Sequence, residues 1–363
     1  MHSQRLDGRT ACLMDEGNAA MSSPNATPNG DAPRFVLPPE LEAGSPPEGR
    51  GLARDEVRLL VSFKEKDGVA HARFTDLPGF LRRGDLLVAN DSATLPAALV
   101  ARRSDGTEVA LNLSTRLPAG LWVVEPRNVR VEAGEKLILP EGASVSLLAA
   151  YPESVRLWIA QLALPVPLDA YLARHGRPIA YRYASGPWPL DAYQTVFARR
   201  PGSAEMPSAG RPFSQRVLRG LEKKGVPVVS ITLHTGVASQ ESHERPYEEW
   251  YDVPAATADA VRRTVDEGGR VIAIGTTVVR ALESAIEASG QSIAARGWTD
   301  LVISPEHSVR VVHGLLTGFH EPEATHVHML EAIAGRAHVR RAYRAALDGK
   351  YLWHEFGDVH LIL

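Results

Sequence analysis

The chain has 363 residues, 44% hydrophobic and 23% charged, with a net charge of −3. That length allows two domains of ordinary soluble composition, and the slight acidic balance excludes a generally cationic surface for nucleic acid while leaving room for a local basic patch. A single cysteine, Cys12, excludes disulfide stapling and cysteine-based zinc sites within one chain; a reducing, cytoplasmic setting is expected, with no membrane span and no secretion signal, because no long apolar run is present and Asp15 and Glu16 interrupt the N-terminal stretch.

Residues 1–33 are rich in Ser, Asn, Pro, Gly and Asp without apolar periodicity and are expected to be a disordered extension. Asp55 to Phe63 and Val69 to Phe74 read as two strands around the turn Lys66-Asp67-Gly68, and Leu86 to Ala89 as a buried strand ending at Asn90-Asp91. From about residue 97 to 164 the texture becomes short alternating runs: Leu99 to Arg102, Glu108 to Leu113, Leu121 to Glu125, Lys136 to Leu139, Val145 to Ala149 and Val155 to Ala160. Glycine-bearing turns separate them, which predicts a small antiparallel β-barrel inserted into the chain.

After Tyr193, helix and strand alternate. Ser214 to Lys224, Ala255 to Gly268, Val278 to Ser289, Thr325 to Ala334 and Val339 to Asp348 are expected helices. Val226 to Leu233 and Val271 to Ile274 are expected strands, with Asp300 to Ser304 and Ser308 to Leu315 completing the sheet. The expectation is an α/β fold, a mixed sheet flanked by helices, made of residues 34–96 and 165–363 around an inserted barrel at 97–164. Arg199, Arg200, Arg211, Arg216, Arg219, Lys223 and Lys224 form a basic stretch, read first as a solvated helix face.

Val271-Ile-Ala-Ile-Gly-Thr-Thr-Val-Val-Arg-Ala-Leu-Glu-Ser284 reads as strand, small-residue turn and helix opening. Its Gly275, Thr276 and Thr277 stand at the carboxyl end of a strand, where open α/β sheets bind ligands, with Arg280 and Glu283 in the next helical turns; an ordinary capped helix with a surface arginine is the other reading. His234 and Gly236 follow another strand, although a lone histidine there is more often structural.

Gly84 through Ala98, Tyr193-Gln-Thr-Val-Phe197, Pro207-Ser-Ala-Gly210, Leu233-His-Thr-Gly236, the Gly-Thr-Thr-x-Val-Arg-x-Leu-Glu-Ser segment, Phe319-His-Glu-Pro322 and Tyr351 through Leu363 occur in a fixed order. This series resembles the S-adenosylmethionine:tRNA ribosyltransferase-isomerase family of queuosine biosynthesis, from about Phe35 to the C-terminus. The resemblance implies the same inserted-barrel fold and S-adenosylmethionine as co-substrate. In that chemistry its ribosyl part joins the aminomethyl group of a 7-deazaguanine in tRNA and is rearranged to an epoxycyclopentane, with loss of adenine and methionine. It implies no metal, and a monomer is the expectation. His326 and His328 with His320 could suggest a metal, but positions i and i+2 of a helix diverge.

Such chemistry needs a base beside the sulfonium and a polar cradle. Arg280 is suited to the methionine carboxylate, Thr276 and Thr277 to ribose hydroxyls, and Glu249 or His320 to proton transfer. Asn90, Ser208, Gly210, His234, Gly236, Gly275 and Glu283 complete the expected binding set. The chain departs from the family pattern mainly at polar positions. Ala93 and Ala98 replace arginines, Pro212 a histidine, Glu244 and Tyr247 the two histidines ahead of Glu249, and Gly318 an asparagine. Those losses leave open an altered, small-molecule acceptor or a binding protein without turnover.

Overall fold

A computed structural model describes residues 35–66, 68–237, 247–289, 294–321 and 324–363. The expected N-terminal extension with Cys12, together with Asp67, Glu244 and Pro322 of the segments above, lies outside the described residues. Strands β1 (Arg58–Phe63) and β2 (Gly68–Arg73) form a hairpin, followed by α1 (Leu77–Phe80), β3 (Leu86–Asn90) and β4 (Ser92–Thr94). Then come β5 (Ala98–Arg102), β6 (Glu108–Arg116), β7 (Leu121–Pro126), β8 (Lys136–Ile138), β9 (Ser144–Ala150) and β10 (Trp158–Ala163), which close into a barrel in the order β10-β7-β6-β5-β8-β9. The chain continues through α2 (Leu168–His175), β11 (Arg200–Ser203), α3 (Gln215–Lys224), β12 (Val228–Leu233), β13 (Glu249–Val253), α4 (Ala255–Asp266) and β14 (Val271–Ile274). It ends with α5 (Thr276–Ser289), β15 (Ala295–Thr299), β16 (Gly314–Gly318), α6 (Thr325–Ala334), α7 (Arg336–Asp348) and β17 (Val359–Ile362).

The main sheet has nine strands in the order β15-β13-β12-β3-β14-β16-β17-β1-β2. Its centre, β12-β3-β14-β16, is parallel, so the carboxyl ends of these four strands share one edge. Successive residues of the central strands alternate between two cores. Leu86 and Val88 of β3 and Val271 and Ala273 of β14 enter the core that holds α4 to α7, whereas Leu87, Ala89, Ile272 and Ile274 enter the core beneath α1 and α3. Burying one such branched side chain contributes about 1.5–3 kcal/mol. Because both faces are apolar, a one-residue slip would exchange one apolar face for the other, and burial alone does not fix the register. Polar groups at the strand ends do.

The barrel interior is filled by alternate residues, among them Leu99 and Ala101 of β5 and Val109, Leu111 and Leu113 of β6, with Tyr171 and Leu172 of α2 packed against them. Helix α3 buries Val217 and Leu221, is capped by the Ser214 hydroxyl accepting from Val217 N–H, and ends at Gly225 in the left-handed region. No helix among the described residues is long and apolar enough to cross a membrane.

Two expected sheet segments are displaced. Residues 300–313 are not strands; the sheet takes β15 before them and β16 after them. The cause is the buried Glu283 carboxylate, which accepts the backbone N–H groups of Arg310 (3.1 Å) and Val311 (3.2 Å) that a strand would have given to a neighbour. Val155 is 89% exposed and the last barrel strand starts only at Trp158. The cap position of α6 is Ala324, and Thr325 is its first helical residue.

Candidate active site

Asn90, His234, Gly275 and His320 follow or end the four parallel strands, so the topology sets them along one rim. Asn90 is buried and acts like a short piece of backbone. Its Oδ1 accepts Leu233 N–H (3.0 Å) while its Nδ2 donates to Leu233 C=O (2.8 Å) and to Thr277 Oγ1 (3.3 Å). One side chain thereby pins the ends of β3 and β12 and the start of α5. Gly275, at φ +95°, makes the turn between β14 and α5, and a β-carbon there would lie 3.4 Å from Ala209. The short turn Ser208–Gly210 therefore packs directly on this junction, with Gly210 against Thr195 and Phe197. The N–H groups of Thr276 and Thr277 open α5 with no preceding helical turn to donate to, whereas Val278 N–H already donates to Gly275 C=O (3.2 Å).

His234 Nδ1 meets Ser92 Oγ at 2.8 Å, and Ser92 Oγ meets Ser203 Oγ at 2.6 Å. Its ring stacks on Trp250, with centroids 5.3 Å apart, and Gly202 leaves room for it. Burial holds this imidazole below its ordinary pKa, with the Asp91 carboxylate opposing and Arg200 adding to the shift. Two residues further on, Gly236 N–H donates to Glu249 Oε1 (2.9 Å), and the other carboxylate oxygen is paired with Arg280. Arg280 also donates to Leu301 C=O (3.0 Å) and Thr299 C=O (3.1 Å), so this ion pair, its side chains 11% and 12% exposed, is braced on both sides. Ser114 of the barrel joins in: its hydroxyl accepts Val237 N–H (2.9 Å) and contacts Tyr247 OH (3.0 Å).

His320 Nε2 contacts Thr317 Oγ1 at 2.8 Å, and its ring stacks on His326 with centroids 4.6 Å apart. Burial drives His320 well below the ordinary histidine range, and burial with nearby Arg280 takes His326 to about 4. Both imidazoles are neutral near pH 7. His328 lies instead near Glu306 and Glu331, as the divergence of positions i and i+2 requires. Beside this rim runs a cleft lined by Arg54, Ser208, Arg211, Gly318, His354 and Glu355.

Most of the expected residues thus meet at one edge: Asn90 with Thr277, Gly236 with Glu249 and Arg280, and the turn holding Ser208 and Gly210 packed through Ala209 on Gly275. Glu283 does not face it, because its carboxylate is turned under the 310–311 backbone. The basic stretch is split. Arg211 is buried against Glu48 (2.8 Å), Arg200 pairs with Asp252 (2.7 Å) and Arg216 with Asp55 (2.7 Å), leaving Arg219, Lys223 and Lys224 exposed on α3. Sequence reasoning missed Ser92, Ser203, Tyr183, His354 and Glu355. No spacing signals them, although Ser92 falls inside the Gly84 to Ala98 segment and the last two inside the C-terminal match.

A family model described as queuosine biosynthesis protein matches residues 31–362. The chain belongs to that family. It is 38% identical over 347 residues to the S-adenosylmethionine:tRNA ribosyltransferase-isomerase of Thermus thermophilus, covering 91% of this chain and 98% of the relative. The protein of the same name from Gloeobacter violaceus is 36% identical, with 92% and 95% covered. A crystal structure of S-adenosylmethionine tRNA ribosyltransferase from Thermotoga maritima matches with a TM-score of 0.52 at 31% identity, covering 91% of this chain and 99% of that one. This member of the queuosine biosynthesis family therefore shares its fold with a solved relative over nearly the whole of both chains. Of the two alanines at family arginine positions, Ala98 pairs across the backbone with Arg177, whereas Ala93 pairs with Pro201.

Proposed function

We propose that this ribosyltransferase-isomerase moves the ribosyl part of S-adenosylmethionine onto the aminomethyl group of a 7-deazaguanine in tRNA and releases adenine and methionine. The observation that carries this reading is the similarity to proteins of that name over nine tenths of the chain, with the strand-end rim assembled. Arg280 holds the methionine carboxylate through the guanidinium N–H groups left after Glu249, Thr299 and Leu301 are served. Glu249 keeps that guanidinium in place. Thr276, Thr277 and the adjoining N–H groups receive the ribose hydroxyls, with Gly275 allowing close approach. His320, uncharged at neutral pH, takes the proton from the carbon beside the sulfonium. Asn90, His234, Gly236, Ser208 and Gly210 shape the rim around them.

A changed, small-molecule acceptor is the second reading, and Ala93, Ala98 and Pro212 favour it. Arg177, exposed and paired through its backbone with Ala98, weighs against it, since an exposed cation beside that strand suits a phosphate backbone. The test is isothermal titration with S-adenosylmethionine followed by chromatography for adenine and methionine, with and without tRNA. Binding with tRNA-dependent release supports the reading; S-adenosylmethionine binding with no release by any tRNA overturns it. His320→Gln is expected to lower turnover by about 10²–10⁴-fold, the usual range for a lost acid–base group, while leaving S-adenosylmethionine binding in place.

A further inference from the structure

The segment 352–358 is a rigid hook beside the rim. Asp358 N–H donates to Leu352 C=O (2.8 Å), Leu352 N–H donates back to the Asp358 carboxylate (2.8 Å), and Arg58 pairs with the same carboxylate (2.8 Å). Gly357 N–H donates to His354 C=O (3.0 Å), and a β-carbon on Gly357 would sit 2.4 Å from Leu352 O, so only glycine closes this turn. His354 is held at φ +71°, a conformation that a side-chain-bearing residue adopts only when its surroundings impose it. Its ring lies flat on Tyr183, centroids 3.8 Å apart and planes 6° apart, and Tyr181 continues the stack at 5.8 Å. The Tyr183 hydroxyl donates to the Glu355 carboxylate.

The hook therefore presents Glu355 to the cleft that also contains Ser208 and Gly318, two residues before His320. Among the described residues no lysine or arginine pairs with Glu355. The guanidinium groups sharing the cleft are committed elsewhere, Arg211 to Glu48 at 2.8 Å and Arg54 to Glu48 at 3.5 Å. His354 does not supply the charge either. Burial lowers it to about 4, so it is neutral, and its Nε2 is buried without a hydrogen-bond partner in a side chain 9% exposed. Burial raises the Glu355 carboxyl, which the Tyr183 bond only partly offsets. A carboxylate in such a place gains from a cationic donor entering the cleft.

We propose that Glu355 recognises the acceptor by its aminomethyl group, taking the ammonium as its missing counter-ion, with Tyr183 as the positioning residue that aims the carboxylate. This rests on the acceptor named in the preceding section and adds the residue that distinguishes it from a base without the amine. The experiment compares binding of free 7-aminomethyl-7-deazaguanine and of 7-deazaguanine by calorimetry, in the wild type, Glu355→Gln and Tyr183→Phe. The wild type is expected to prefer the amine-bearing base by about tenfold or more, the size of one lost charged hydrogen bond. Glu355→Gln abolishes the preference and Tyr183→Phe reduces it, while S-adenosylmethionine binding stays within twofold in both (roughly the noise of such titrations). A wild type without the preference, or a Glu355→Gln protein that retains it, overturns the assignment. If the preference follows Glu355 but no tRNA is modified, the recognition site stands and the transferase reading fails.

Discussion

At the residue scale the site is built from side chains that hold one another before they hold a ligand. Asn90 fills both the donor and the acceptor of Leu233, a bond that spans 143 positions of sequence. Replacing its amide with a carboxylate by Asn90→Asp leaves Leu233 C=O facing an acceptor and should cost about 1–3 kcal/mol, the usual range for an unsatisfied buried group. Urea unfolding checks this; an unchanged midpoint would show that Asn90 does not lock the strand ends. Arg280→Ala removes the partner of Glu249 as well as the expected carboxylate ligand. S-adenosylmethionine affinity should fall by about one to two decades, from roughly 1.5–3 kcal/mol for a charged hydrogen bond, and the loss of the ion pair should lower the melting temperature too. Unchanged affinity would remove Arg280 from the binding set. The sequence marked Asn90, Arg280 and Glu249 through strand ends and family order, but not that they bind one another, because such partners are far apart in the chain. It marked Glu283 by the same order and could not show that its carboxylate turns toward Arg310 and Val311.

At the element scale, alternation and turn residues made the barrel and the central strands legible, since β3 and β14 are short apolar runs between turn signals. The stretch after α5 was not. Val311 and Val312 are buried and look like strand residues, yet the backbone around them is satisfied by Glu283 rather than by a neighbouring strand. Strand β13 carries Glu249, Trp250 and Asp252 at half-buried positions and offered no apolar run to read. The barrel and the rim meet through Ser114, Val237 and Tyr247, and Gly236 is the residue that lets them close. A β-carbon at Gly236 would lie 2.3 Å from Tyr247 OH and 2.6 Å from Ser114 Oγ. Gly236→Ala should therefore displace this contact and, through Glu249, the Arg280 pair. The expected result is a loss of about tenfold or more in kcat/KM, the scale of a misplaced catalytic group; wild-type kinetics would mean that the barrel contact is independent of the site.

At the scale of the whole molecule, two apolar cores sandwich the sheet and several histidines are buried with them. Ser62 Oγ stands between His360 Nε2 (2.7 Å) and His338 Nε2 (2.8 Å), with Phe319 stacked on His360. Burial lowers His360 to about 3 and His326 and His354 to about 4. Because these groups stay neutral in the fold while the unfolded chain takes up protons below its ordinary value, near 6.5, stability is complete above that pH and is lost as pH falls toward 3–4. The slope is about 1.4 kcal/mol per pH unit for each histidine that remains neutral. Urea unfolding between pH 7 and 5 should show it, and a flat profile would contradict the burial of these rings. The reaction itself can be followed at the nucleoside. Purified protein is incubated with S-adenosylmethionine and tRNA carrying 7-aminomethyl-7-deazaguanine, and the digested nucleosides are weighed by mass spectrometry. That nucleoside is expected to convert to one carrying the rearranged ribosyl group, with one adenine and one methionine released per event. An unconverted nucleoside beside intact S-adenosylmethionine would contradict it.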